Sequence, residues 1–190
     1  MRKLLITLVL ALAGTLTPPA ARAQIPPPID LGIQNILQDT DVWCWAAVAQ
    51  QIILAVRGPG GTPAQCALVA MASNVHPATC CQNYAACRRT GQLYEIQNLI
   101  LAFGGRYSSL AQPADPMTLY QTLAMRRAVI MAVQSSPYSG HVVVIRGMAW
   151  VPTPMGVQPV LYINDPMSYF TQPVPFAHIA QYWQSAIVVN

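Results

Sequence analysis

A cysteine placed near the start of an apolar helix constrains this chain more than any other feature. The apolar residues of that helix recur at spacings of four, three and four: Trp45, Ala49, Ile52 and Val56. This pattern predicts a helix that ends at Gly58-Pro59, with Asp41 as its N-cap residue. Cys44 would then lie in the first turn, where unpaired N–H groups and the helix dipole favour a thiolate over a thiol. The alternative is a cysteine that only packs as a small buried hydrophobe.

A histidine stands at the start of a predicted strand. His141 follows the flexible, polar run 135–140 and precedes residues 142–148, which are mostly β-branched. A second predicted strand ends in Asn164-Asp165-Pro166, and either Asn164 or Asp165 could hydrogen-bond the imidazole and fix its tautomer. Nucleophile, base and orienting residue therefore occur in the order Cys, His, Asp or Asn.

A side-chain amide precedes the cysteine. Gln38 lies six residues upstream of Cys44 and could donate to the oxyanion of a tetrahedral intermediate, beside the backbone N–H of Cys44. None of these features is specific when it is taken alone. Their order and spacing together predict a thiol hydrolase.

Three motifs of the chain resemble the papain-like cysteine peptidases of bacteria: Gln-x5-Cys-Trp-Ala-Ala, Gly-His-Val-Val-Val-Ile-x-Gly and Tyr-Ile-Asn-Asp-Pro. They are most similar to a secreted group that includes plant-pathogen effector peptidases and the peptidase domains that trim bacteriocin leaders. The resemblance covers about residues 34–189. It implies that Cys44 is the nucleophile, His141 the base, Asp165 the orienting residue and Gln38 the oxyanion-hole side chain. Plant papain enzymes instead place an Asn in the third role, so Asn164 remains an alternative to Asp165.

The N-terminus has the three parts of a secretory signal peptide. Met1-Arg2-Lys3 is charged, Leu4 to about Leu16 is apolar, and Ala21-Arg22-Ala23 is an Ala-x-Ala cleavage site. The apolar run is shorter than the ~20 residues that a membrane-spanning helix needs. We therefore expect residues 1–23 to be removed after Ala23 and the mature protein to be secreted or periplasmic, with no membrane attachment.

Cleavage would change the size and the charge of the protein. It would leave 167 of the 190 residues, enough for one domain with a sizeable core. It would also reduce the basic residues from 10 to 7 against 6 acids, so that the net charge falls from +4 to +1. The mature chain has no lysine and no basic stripe, which argues against nucleic-acid binding. A monomer that acts on a peptide or protein substrate, without a cofactor, is expected.

Four further cysteines lie close together in the sequence: Cys66, Cys80, Cys81 and Cys87. An even number in an exported chain favours two disulfides, which would leave Cys44 as the free thiol. Cys80 and Cys81 are neighbours and are not expected to pair with each other. Two connectivities remain open, 66–80 with 81–87 or 66–81 with 80–87. A zinc site that also uses His76 is the competing interpretation.

The order of the predicted elements indicates an α+β fold. Residues 24–33 read as an extended, proline-rich lead-in, and residues 34–190 as a single papain-like domain. After the Cys44 helix we expect a loop-rich, cysteine-stapled insert over 58–90 and two helices, from Leu93 to Phe103 and from Asp115 to Met125. The expected strands, mostly antiparallel, are 128–134, 142–148, 157–164 and 186–189. The active site would lie where the first helix meets the sheet.

These observations predict a secreted cysteine peptidase that works through a thioester at Cys44. Two alternatives remain open at this point. An amidase that cuts peptidoglycan stem peptides would use the same residues, because it also breaks an amide bond. A disulfide-braced binding module would keep the fold without catalysis.

Overall fold

Helices occupy most of the first half of the chain, and strands most of the second. The computed structural model describes residues 25–134, 140–170 and 172–190, so the predicted signal peptide lies outside it. The helices are α1 Cys44–Arg57, α2 Gln65–Ala72, α3 Pro77–Cys81, α4 Leu93–Leu99, α5 Pro116–Ala124 and α6 Phe176–Ala180. The strands are β1 Ile29–Asp30, β2 Ser108–Ala111, β3 Val129–Gln134, β4 Gly140–Thr153, β5 Gly156–Asn164, β6 Val174–Pro175 and β7 Trp183–Val189. The predicted α+β class is confirmed.

Helix α1 begins at Cys44, but its predicted cap is wrong. Trp43 is the N-cap residue and no side chain caps the helix. Asp41 lies too far ahead of the first turn, and its exposed carboxylate accepts a hydrogen bond of 2.9 Å from the Arg88 Nε instead. The helix ends as predicted at Gly58, whose φ of 71° suits a residue without a Cβ.

All the strand pairs are antiparallel in the described part of the chain. Six strands follow the order β2-β7-β3-β4-β5-β6, and β1 pairs with β4. A bulge in β4 lies next to Gly147, where a Cβ would come within 2.3 Å of the Ile29 carbonyl oxygen. Glycine at this position therefore lets β1 approach the sheet. The predicted extended lead-in, residues 24–33, thus joins the fold in its second half, where Ile33 is also buried.

The sheet is buried on both faces around β4, which explains its long apolar run. Val142 and Val144 pack in the core cluster that contains α1, α2 and α4. Val143 and Ile145 point to the opposite face and pack in a second cluster with α5 and α6. Helices therefore cover both faces of the central strands. Helix α1 packs on the face that carries Val142 and Val144.

The cysteine-rich insert, residues 58–90, is more helical than the sequence predicts. It contains α2 and α3 as well as two short 3₁₀ turns. Its disulfides are Cys66–Cys81 and Cys80–Cys87, the second of the two expected connectivities. The zinc interpretation is wrong because all four sulfurs are used in these two disulfides. Cys44 is the free cysteine in the described residues.

This pairing predicts the result of a thiol count. The mature protein, unfolded without a reductant, should show one free thiol per chain, because only Cys44 is unpaired. Ellman's reagent measures that number, and peptide mapping of the unreduced protein identifies the bridges. A count of five thiols, or a zinc ion that co-purifies in stoichiometric amount, would contradict the prediction.

The other predicted helices have the expected positions with one irregularity. Asp115 caps α5 by accepting hydrogen bonds of 2.9 and 3.1 Å from the backbone N–H groups of Met117 and Thr118. Helix α4 continues after Leu99 as a π-helical turn, Ile100–Gly104, and ends at Gly105. In the described ranges no helix has both the length and the apolar character needed to cross a bilayer.

Candidate active site

Two buried tryptophans hold the start of α1 in place. The Trp43 indole N–H donates to the Cys87 carbonyl at 3.2 Å, and the Trp45 indole N–H donates to the Arg89 carbonyl at 3.3 Å. Both rings are at most 2% exposed. Cys44 lies between them, partly exposed, in the first turn where the backbone N–H groups lack helical partners. Its thiol therefore lies on a rigid element next to open space.

His141 is the second residue of β4 and lies opposite Val133 of β3. Its Nε2 lies 2.7 Å from the Asp165 Oδ1, so the ionised carboxylate accepts a hydrogen bond from the Nε2–H group, and Nδ1 stays available on the other side of the ring. Burial of the ring disfavours its charged form. The hydrogen bonds and negative charges of Asp165 and the Cys44 thiolate outweigh this effect and raise the pKa of His141 to about 9. The surroundings of His141 thus favour the protonated ring.

Asp165 is fully buried and accepts several hydrogen bonds. Besides His141, its Oδ1 accepts the Met167 N–H at 2.8 Å, and its Oδ2 accepts the N–H groups of Tyr169 and Phe170 at 2.8 and 3.2 Å. Burial alone would raise the pKa of this carboxyl. The imidazole and the backbone donors outweigh burial and hold the pKa below its ordinary value. The carboxylate therefore orders the following loop as well as the histidine.

Asn164 points away from His141. Its side-chain amide donates to the Ile33 carbonyl at 2.8 Å, and the residue is 3% exposed. Successive residues of a strand face opposite sides of the sheet, which explains why only one of the pair reaches the imidazole. Of the two candidates predicted from the sequence, Asn164 and Asp165, the contact with His141 belongs to Asp165.

Gln38 lies beside the loop that follows Asp165. Its backbone N–H donates to the Pro166 carbonyl at 3.1 Å, and its side-chain Nε2 donates to the Thr40 carbonyl at 2.7 Å. The amide keeps a second N–H, while its Oε1 is buried without a partner in the described part of the chain. Gln38 lines a small hollow that adjoins the main cleft and shares Asp41 and Met167 with it.

A cleft of about 630 Å³ opens over Cys44 and His141. One part of its lining is apolar and comes from the helical layer and the sheet: Trp45, Leu93, Ile96, Ala132 and Val142. Other parts are polar or carry backbone groups: Asp41, Thr90, Gly91, Gln92 and Gln184. A concave site of this size, mostly apolar and with a few polar groups, is typical of a ligand-binding or active site.

One wall of this cleft is held by Arg89 and Glu95, which are not among the site residues predicted from the sequence. Arg89 lies over the Trp45 ring at 4.9 Å and binds the buried Glu95 carboxylate through two nitrogens, at 2.6 and 3.1 Å. Glu95 also accepts the Gln92 N–H at 2.7 Å. Gly91 packs so close to the Trp45 ring that a Cβ there would lie 2.2 Å from it. The sequence signal for this contact is a Glu three residues after Gln92 at the start of α4, which is the spacing of a capping box.

Within the described ranges, no three His, Cys, Asp or Glu side chains are grouped so that they could hold a metal ion. His76 accepts the Ala78 N–H through its Nδ1, and His178 is exposed on α6. These two histidines, which the sequence analysis did not assign to the site, lie outside the cleft lining.

Comparison with known proteins gives one family and a common fold. Residues 28–185 match the model of a family described as papain-like cysteine protease AvrRpt2. No curated protein matches the chain by sequence. A Bacillus anthracis protein described as a C39-like peptidase superposes with a TM-score of 0.53 at 11% identity, over 87% of this chain and 98% of that one. The ragweed pollen cysteine protease Amb a 11, in its proform, gives 0.53 at 13% identity, over 88% of this chain and 66% of that one.

Proposed function

The chain belongs to the papain-like cysteine protease AvrRpt2 family, and we propose that it is an exported peptidase with a Cys44, His141 and Asp165 triad. One observation carries the proposal. The free cysteine at the start of α1 and a buried histidine line the same open cleft, and a buried carboxylate hydrogen-bonds that histidine at 2.7 Å. A thiol that only packed in the core would need none of these partners.

In this proposal the reaction proceeds by acyl transfer. The Cys44 thiolate attacks the carbonyl carbon of the bond to be cut, and the oxyanion is held by the Cys44 backbone N–H and the Gln38 amide. The protonated His141 gives its proton to the leaving amine as the C–N bond breaks, which leaves a thioester. His141 then takes a proton from water, whose oxygen attacks the thioester and releases the acid. Asp165 keeps the ring in the required orientation throughout.

Gln38 can be tested by removing its donor. We expect Gln38→Ala to retain about a hundredth to a thousandth of the activity, which is the usual loss for one oxyanion donor. Gln38→Glu is the matched variant, since it keeps the size of the side chain but replaces the amide nitrogen with an oxygen. Both variants should lower kcat more than they raise KM. Wild-type kcat in both would exclude Gln38 from the oxyanion hole.

A thiol-directed probe tests whether the protein is an enzyme at all. A peptidyl chloromethyl ketone or an epoxide should label Cys44 at one site, detected by mass spectrometry of the intact and digested protein. An inert Cys44 in folded protein would favour the binding-module alternative. Hydrolysis of casein against hydrolysis of purified peptidoglycan then separates a peptidase from a stem-peptide amidase.

Export is part of the proposal and rests on two features. Residues 1–23 have the composition of a cleavable signal peptide, and four of the five cysteines are paired as disulfides. Disulfides persist in the periplasm and outside the cell, where thiols are not kept reduced. We propose that the mature protein begins after Ala23 and acts there as a monomer on peptide or protein substrates.

A further inference from the structure

A second groove, of about 450 Å³, lies at the far end of α1 from Cys44. Its floor is apolar and includes the buried residues Ile33 and Ile52. Val56 and Met125 are 37% and 60% exposed and extend the apolar lining to the surface. Three arginines also line the groove: Arg106, Arg126 and Arg127. The groove therefore combines apolar contact area with three positive charges.

The side chains of these three arginines have no acidic partner, unlike three of the other four arginines in the described residues; the fourth, Arg57, donates to the Phe103 carbonyl. Arg88, Arg89 and Arg146 each form an ion pair with an acid elsewhere on the protein. The three groove arginines form no ion pair within the described residues, and no Asp or Glu lines the groove. The groove therefore holds three of the seven basic side chains of the predicted mature chain.

The backbone of Arg126 gives an independent indication that its side chain has a function. Arg126 follows α5 with a φ of 63°, and its N–H donates to the Leu123 carbonyl at 2.9 Å. The Arg127 N–H donates to the Thr122 carbonyl at 3.3 Å, so the two bonds form the Schellman pattern of a helix end. Glycine is favoured at this left-handed position, and arginine is strained there. Non-glycine residues in this conformation are uncommon and are enriched at functional sites, which is consistent with a binding role for Arg126.

We propose that this groove binds an acidic, partly apolar segment of the polypeptide substrate and anchors it at a distance from the cleft. The anchoring role rests on the proposed peptidase function, whereas the binding itself does not. Val56 lies twelve residues after Cys44 on the same helix, which corresponds to about 18 Å along its axis. Since an extended chain spans at most about 3.6 Å per residue, the acidic segment must lie at least about five residues from the bond that is cut.

The shape and composition of the groove favour a peptide over a membrane or a nucleic acid. A flat bilayer surface cannot reach the floor of a groove, and recognition of anionic lipids usually needs about four to eight clustered basic residues. None of the described residues that line the groove is aromatic, whereas single-stranded nucleic acids are usually bound by stacking on aromatic side chains. A peptide can place carboxylates on the arginines and an apolar side chain between Val56 and Met125.

Binding can be tested without catalysis. The probe is a fluorescent synthetic peptide of alternating Glu and Leu, titrated by anisotropy against the mature chain that carries Cys44→Ala. We expect saturable binding that Arg126→Gly weakens roughly tenfold or more, while the melting temperature stays the same or rises because glycine relieves the strained position. Arg88→Gln removes the same charge from another surface and should leave the affinity unchanged.

Several results would overturn the proposal. No saturable binding is one of them, and an equal loss of affinity in Arg88→Gln, which would indicate attraction by net charge alone, is another. A peptide of alternating Lys and Leu should not bind. If phosphatidylserine vesicles bind in an Arg126-dependent manner while the peptide does not, the groove is a membrane site and the peptide proposal is wrong.

The anchoring role needs the active enzyme. For a long substrate with a distant acidic segment on either side of the cut bond, Arg126→Gly should raise KM. For a short substrate without that segment, Arg126→Gly should leave kcat/KM unchanged. An unchanged KM for the long substrate overturns the anchoring role. If neither substrate is hydrolysed by the wild-type chain, the proposed peptidase function fails, whereas the peptide titration still decides whether the groove binds acidic segments.

Discussion

Cys44→Ala is expected to abolish amide hydrolysis and to leave the protein folded. Cys44 is only partly buried and takes part in no disulfide, so its truncation leaves no large cavity and breaks no cross-link. His141→Ala should be similarly inactive, because the proposed reaction then lacks its base. Loss of a catalytic nucleophile or base commonly lowers kcat by about six orders of magnitude. Hydrolysis of a fluorogenic peptide measures the loss.

Two controls separate chemistry from folding. His178→Ala removes an exposed histidine outside the cleft and should leave the activity unchanged. Circular dichroism and the thiol count should show that each inactive variant keeps its fold and its disulfides. Full activity of Cys44→Ala would exclude every step of the proposed reaction.

The elements with long apolar repeats could be predicted from the sequence. Helix α1 is largely apolar and buried over residues 45–53, and β4 buries both faces, so each leaves a long apolar run that local reasoning detects. The two-residue strands β1 and β6 leave no such pattern, because they are defined only by their pairing with β4 and β5. The short helices of the insert were missed for the same reason, since disulfides and the core around them fix their position.

Site residues that depend on distant partners could not be placed from the sequence. Asp41 has the right type and nearly the right position for an N-cap, but a partner 47 residues away, Arg88, takes its carboxylate. The cleft wall depends on Arg89, Glu95 and the close contact of Gly91 with Trp45, and none of these contacts follows from spacing. Gln38 was chosen for its distance from Cys44 along the chain, and the direction of its amide depends on the turn that follows it.

The choice between Asn164 and Asp165 shows how far alternation along a strand can lead. Alternation predicts that only one of the two faces the histidine, but the register of β5 against β4 decides which one. Val144 lies opposite Asn164 in that register. The Asn164 amide binds the Ile33 carbonyl and therefore points away from His141. The two residues should therefore fail in different ways when they are truncated.

Asp165→Ala should lower kcat far more than Asn164→Ala and should also change the pH profile. The raised pKa of His141, about 9, means that the imidazolium is present below that pH and is lost as the pH rises through it. Removal of the carboxylate destabilises the imidazolium, so the basic limb of kcat/KM against pH should shift to lower pH. Asn164→Ala instead leaves the Ile33 carbonyl without its donor, which should cost about 1–3 kcal/mol of stability without moving that limb.

Because Asp165 also orders the loop after it, a lower rate with an unshifted limb would reduce its role to a structural one. A damaging Asn164→Ala together with a nearly silent Asp165→Ala would mean that the site follows the plant pattern.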